Sequence, residues 1–285
     1  MHRYCLLWLL VMPLVLASTS GSAADDGAAA RRRQLSQEFH LRSQERTGLL
    51  VPLYIYPSDI HKNPSFNRLI EVKRRHETVP MWVILNPASG PGEQVDGNYA
   101  KAIDRLRGAG CLVLGYVTTS YARRSETEVR KDIDQWLKMY PHIHGIFFDE
   151  MTYEDTEVAA KYQTALSHYA HEAGCWPTVA NPGADTPGRY FAAGAADVIL
   201  IHEGDSWPKE ERLKGNYFGG YSDYPPFTRG VLVYAQPKLD PDSLRMVRKY
   251  ARWIYVTEAS SQSGNTPWAR LSKHLEDICD LLAEK

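Results

Sequence analysis

Short apolar runs rich in β-branched and aromatic residues recur along the chain, at residues 50–56, 81–86, 112–118, 143–149, 176–181, 198–203, 230–234 and 253–257. Most are apolar at successive rather than alternate positions. That pattern predicts strands covered on both faces, as in a parallel sheet flanked by helices.

The segments between the runs carry helix signals. Ser125 and Glu128 have the spacing of a capping box, and Val129, Ile133, Trp136, Leu137 and Tyr140 follow as one apolar stripe. Asp240 with Pro241, and Thr266 with Pro267, read as a capping residue followed by a first-turn proline. Gly110 and Gly174 sit where a helix would close before the next strand. The helix after the first run, around residues 65–76, has the faintest pattern. Eight strand and helix units, evenly spaced and without leftovers, predict a single-domain α/β fold, the (β/α)8 TIM barrel, over an open doubly wound sheet.

Composition supports one such domain. The chain has 285 residues, 44% of them hydrophobic, against about 250 for an ordinary barrel of this kind. A formal net charge of -1 provides no positive field for nucleic acid or an anionic membrane, so neither is an expected partner. His2 and Arg3 precede an apolar stretch over residues 4–17 and small residues over 18–24, which reads as a signal peptide at 1–24. The stretch is shorter than the ~20 residues a membrane-spanning helix needs. A secreted protein, extracellular or periplasmic, without stable membrane insertion after signal removal, is therefore expected. Residues 25–48 are polar and basic, as in a flexible tether, and 49–285 form the expected barrel domain, a monomer. Without the signal's Cys5, the cysteines are Cys111, Cys175 and Cys279. Their odd number and wide spacing predict buried small hydrophobes, not a disulfide framework.

In such a barrel, chemistry belongs to the C-terminal ends of the strands. The fourth run ends in Phe147-Phe148-Asp149-Glu150 and the sixth in Ile201-His202-Glu203. A buried ionised carboxylate costs several kcal/mol unless it is paired, so strands running straight into acids should open on a polar cleft. Strand alternation puts Asp149 on the face of Phe147 and Glu203 on that of Ile201. Tyr54, Tyr116 and Tyr234 lie at or just past strand ends, and Trp207 and Tyr221 lie beyond Glu203. Such rings suit the apolar faces of sugars, while Asn86 and Asn181 can serve hydroxyl groups. These seven residues are the candidate substrate contacts. His142 and His144 precede the fourth strand, at the stability end, so no metal site is expected there. Neither a G-x-S-x-G elbow nor a phosphate loop is present, and no cofactor is expected.

The segments VPLYIYP, WVILNPASGPG, VLGYVTTSYARR, GIFFDE and ANPG resemble, in order, the spherulation-specific family 4 (spherulin-4-like) proteins, related to glycoside hydrolase family 135. The resemblance implies a (β/α)8 barrel and an endo-acting hydrolase of galactosamine-containing exopolysaccharide. It places the family's Asp-Glu pair on Asp149 and Glu150 and its later glutamate on Glu203. The expected chemistry has Asp149 as nucleophile or charge stabiliser and Glu203 as general acid and base. Glu150 would hold Asp149 or a substrate amine or N-acetyl group, and retention of stereochemistry is favoured. The alternatives are a non-catalytic carbohydrate-binding protein with the same cleft and a polysaccharide deacetylase, which would want a metal ligand set.

Overall fold

A computed structural model describes residues 46–59, 61–215, 223–261 and 266–284. The expected signal segment and nearly all of the tether lie outside these residues, as does Tyr221.

Eight parallel strands close into a barrel in sequence order: β1 (Gly48–Pro52), β2 (Met81–Leu85), β3 (Leu112–Thr118), β4 (Gly145–Asp149), β5 (Thr178–Ala180), β6 (Val198–Gly204), β7 (Arg229–Val233) and β8 (Trp253–Val256). Helices α1 (Pro64–Arg75), α2 (Gly97–Gly108), α3 (Glu126–Met139), α4 (Glu157–Glu172), α5 (Gly188–Ala192), α6 (Glu210–Lys214), α7 (Pro241–Val247) and α8 (Leu275–Ala283) alternate with them. The fold is the expected single-domain (β/α)8 TIM barrel, and each of the eight apolar runs contributes one strand.

Boundaries differ where the chain leaves the ladder. β1 ends at Pro52, and the Tyr54 amide then donates to the Trp268 carbonyl at 3.1 Å instead of to β2. β5 has only three residues, since Pro177 brings no amide hydrogen to its start. One expectation fails outright. Thr266 and Pro267 open a 3-10 turn over Pro267–Ala269, and the last helix begins only at Leu275. The Thr266 side chain caps Trp268, but the chain then leaves the turn: Arg270 has extended backbone, and the buried Ser272 donates its amide to the Tyr255 hydroxyl at 2.9 Å instead of continuing a helix.

Elsewhere the local signals act as read. Ser125 and Glu128 form a reciprocal capping box at the start of α3. The faint helix α1 forms because Asn63 accepts from the Ser65 and Phe66 amides with Pro64 in the first turn, and because Phe66, Leu69, Ile70 and Val72 are buried. Cys111, Cys175 and Cys279 are buried and are not joined in disulfides among the described residues, and burial pushes the Cys111 thiol up to about 12.

Inside the barrel, the Trp82 and Trp253 rings stack 3.4 Å apart at their centroids, from strands on either side of β1. The intervening Gly48 leaves room, since a Cβ there would come within 2.8 Å of the Trp253 ring. Outside the barrel, Gly115 accepts the Trp136 indole of α3, where a Cβ would meet the ring at 2.6 Å. These contacts fix the faces: Trp82 and Trp253 look inward, Gly115 outward. Through the ladder the inward face includes Phe147 and Asp149.

Candidate active site

The inward side chains at the C-terminal ends of β3, β4, β5 and β6 meet at one mouth. Tyr116 donates its hydroxyl to Asp149 Oδ2 at 2.8 Å. Asn181, just past β5, donates from one nitrogen to Asp149 Oδ1 at 2.8 Å and to Glu203 Oε2 at 2.6 Å. A side-chain amide nitrogen carries two hydrogens, so it can serve both carboxylates. The Asn181 oxygen accepts from the Gly183 amide at 3.0 Å, which fixes the orientation of the amide.

Glu203 reaches the mouth by a route that alternation does not predict. The β6–β7 ladder pairs Leu200 with Gly230, skips Ile201, then pairs His202 with Val231 and Glu203 with Leu232. Paired residues in adjacent strands share a face, so Glu203 lies on the inward face together with Leu200, three positions before it. The irregularity restores the inward direction that regular alternation from Leu200 would have denied it.

Glu150 leaves β4 with a φ of 53°, unusual for a residue with a Cβ. Its side chain accepts from the Thr118 hydroxyl at 2.6 Å, and its carbonyl accepts from the Tyr121 amide at 2.6 Å and the Thr119 hydroxyl at 2.7 Å. Consecutive acids are thereby held by different partners.

Asp149 and Glu203 are partly exposed and bonded by neutral donors. Burial raises Asp149 above the ordinary carboxylate value, against bonds from Tyr116, the Glu150 amide and Asn181. Burial also raises Glu203, with the Asp149 charge adding to it, against bonds from Asn181 and Trp268. Tyr116 is raised by burial and by Asp149, so its hydroxyl keeps its proton and remains a donor. Two raised carboxyls sharing one donor nitrogen favour a state with a single negative charge between them.

The structure thus brings together Asp149, Glu203, Tyr116 and Asn181, with Glu150 beside them. Tyr54 packs edge-on to Tyr116 at 5.7 Å, and its hydroxyl is raised by burial and by Asp149. Asn86 continues the inward face of β2 past Ile84, and its side-chain oxygen is buried without a partner among the described residues. Tyr234 follows β7 and packs edge-on to Trp268 at 6.1 Å. Trp207 packs against the core, its indole nitrogen buried and unpartnered among the described residues. Sequence reasoning missed Thr118 and Trp268. An aromatic after the eighth strand was the available signal for Trp268, hidden because its neighbours read as a helix start. Among the described residues, no three His, Cys, Asp or Glu side chains group as a metal-binding set.

Known proteins similar to this chain include Sph3 and spherulin-4. Sph3 of Aspergillus clavatus, in a crystal structure with GalNAc, is 28% identical, with a TM-score of 0.71 over 84% of this chain and 98% of that one. Spherulin-4 of Physarum polycephalum is 31% identical over 176 residues, which are 61% of this chain and 49% of that protein. The chain therefore spans about half the length of that relative. From the first residue of β1 into α8, over residues 48–282, the sequence matches the spherulation-specific family 4, and the chain belongs to that family.

Proposed function

We propose that this protein is a secreted endo-acting glycoside hydrolase that cleaves an amino-sugar exopolysaccharide containing galactosamine or N-acetylgalactosamine. The observation that carries the reading is the single Asn181 nitrogen bonded to both Asp149 and Glu203. The two bonded carboxylate oxygens can be no farther apart than those two hydrogen bonds laid end to end. Such close approach favours the about 5–5.5 Å separation of the carboxyl groups in retaining enzymes over the about 6.5–9.5 Å of inverting ones.

Asp149, which receives more hydrogen bonds, keeps the negative charge, and Glu203 keeps the proton. Glu203 protonates the glycosidic oxygen as its bond to C1 breaks, while an Asp149 oxygen bonds to C1. Glu203 then takes a proton from water, the water oxygen bonds to C1, and the Asp149 carboxylate leaves. Tyr116 and Asn181 orient Asp149 throughout, and Glu150 faces the sugar substituent. GalNAc in the similar Sph3 structure supports the sugar class. Residues 1–24, as an export signal, and 25–48, as a tether, would deliver the barrel to such a polymer outside the cell.

Incubating the protein with galactosaminogalactan tests the reading. New reducing ends with retained anomeric configuration are expected. Binding without new ends would leave a carbohydrate-binding protein, and acetate release without new ends would leave a deacetylase.

A further inference from the structure

Among the described residues, Tyr121 and Tyr153 are large aromatics that stand open to solvent near the acids. They are 43% and 44% exposed, and their rings meet edge to face at 6.2 Å and 87°. One ring forms a floor and the other a wall, leaving an apolar corner. Tyr121 belongs to the segment after β3 and Tyr153 to the segment after β4, so the corner lies on the C-terminal rim of the barrel.

The corner is built rigidly. Ser120, Tyr121 and Ala122 have φ of 49°, 55° and 62°, three successive left-handed residues that all carry a Cβ. The Tyr121 amide donates to the Glu150 carbonyl at 2.6 Å, and the Arg123 amide donates to the Ser120 carbonyl at 3.1 Å. Such a turn serves no core, because the side chain it presents is exposed. It does aim a ring beside the acids: the Tyr121 hydroxyl is raised first by its burial and then by the charges of Glu150 and Asp149, with Glu203 also contributing.

We propose that Tyr121 and Tyr153 form an outer subsite, on which a pyranose ring of the polymer, away from the cleaved linkage, stacks its C–H face. The inference rests on the hydrolase reading above and adds how a chain is held along the rim. Flat rings exposed at a fixed right angle match a sugar's apolar face and edge, whereas a short ligand filling only the mouth gains nothing from them.

The test titrates galactosamine-containing oligosaccharides, short and long, into full chains carrying Glu203→Gln, alone and combined with Tyr121→Ala, Tyr121→Phe or Tyr153→Ala. Long oligosaccharides are expected to bind more tightly than short ones. Either alanine variant should weaken the long ones about tenfold, removing most of that gain, while Tyr121→Phe keeps it because the ring remains. An unchanged gain in both alanine variants, or no binding of any length, overturns the subsite. Wild-type hydrolysis, read separately as new reducing ends, reports on the hydrolase reading. Cleavage with an unchanged length dependence in the alanine variants sinks the subsite alone, and binding through the corner without cleavage sinks the hydrolase alone.

Discussion

If Glu203 is the proposed general acid and base, chemistry and stability oppose each other at its carboxyl. Its carboxyl is raised by burial and by the charge of Asp149. A carboxyl whose folded value lies above its unfolded value weakens the fold when ionised: the stability it allows is complete in acid and is lost as pH rises through the raised value. Glu203→Gln removes that ionisation. The variant is expected to be more stable than wild type at neutral pH by about 1 kcal/mol in urea denaturation, with the difference vanishing in acid. Hydrolysis should fall by roughly 10²–10⁴, as for loss of a general acid and base. A variant that is both fast and no more stable would contradict the role. The side chains of this cluster were legible in unequal measure. Asp149 and Asn181 could be found because a polar group directly after an apolar run has to open on a cleft. Trp268 could not, since its bond to Glu203 depends on how the segment after β8 folds back over the mouth.

Strands and helices were readable where periodicity and caps agreed, and misread where tertiary pairing intervened. Alternation placed Asp149 on the inward face, but it did not show that Glu203 shares the face of Leu200, because a skipped residue in a ladder leaves no mark in one strand's own sequence. The opposite end of the sheet shows what acids do there instead. Asp197 precedes β6 and accepts from the Thr178 amide at 2.7 Å, the Thr178 hydroxyl at 3.0 Å and His171 Nε2 at 2.8 Å. Burial works to raise this carboxyl, but the bonds and charge of His171 and the bonds from Thr178 outweigh it and hold it below the ordinary value. Its contribution is therefore complete above the ordinary carboxylate range and lost as pH falls through the lowered value. Asp197→Asn is expected to destabilise the fold by about 2–3 kcal/mol at neutral pH, with the deficit shrinking in acid, where wild type loses the same contribution. The clasp anchors Thr178, the first residue of the three-residue β5 that leads to Asn181. Equal denaturation midpoints at neutral pH would show the clasp to be dispensable.

For the whole molecule, closure is what the run count foretold and what separates fold from delivery. Eight units were countable because each strand of a covered parallel sheet is apolar on both faces, while the polar and basic segment after residue 24 and ahead of the first unit carries no comparable pattern. β1 pairs with β2 through Leu49, Leu50, Val51 and Pro52, and with β8 through Gly48 and Leu49. Every strand thus has two neighbours in the barrel, and no edge is left for residues before Arg46 to cover. α8 supplies the last layer, with Leu275, Ile278, Cys279 and Leu282 buried. A chain beginning at Arg46 should therefore melt within a few degrees of one beginning at Asp25 and cleave soluble oligosaccharide at the same rate. If residues 25–45 act as a tether, their removal should instead lower retention on insoluble polymer. A large drop in melting temperature would mean that these residues are part of the folded unit, and the reading of 25–48 as a linker would fall.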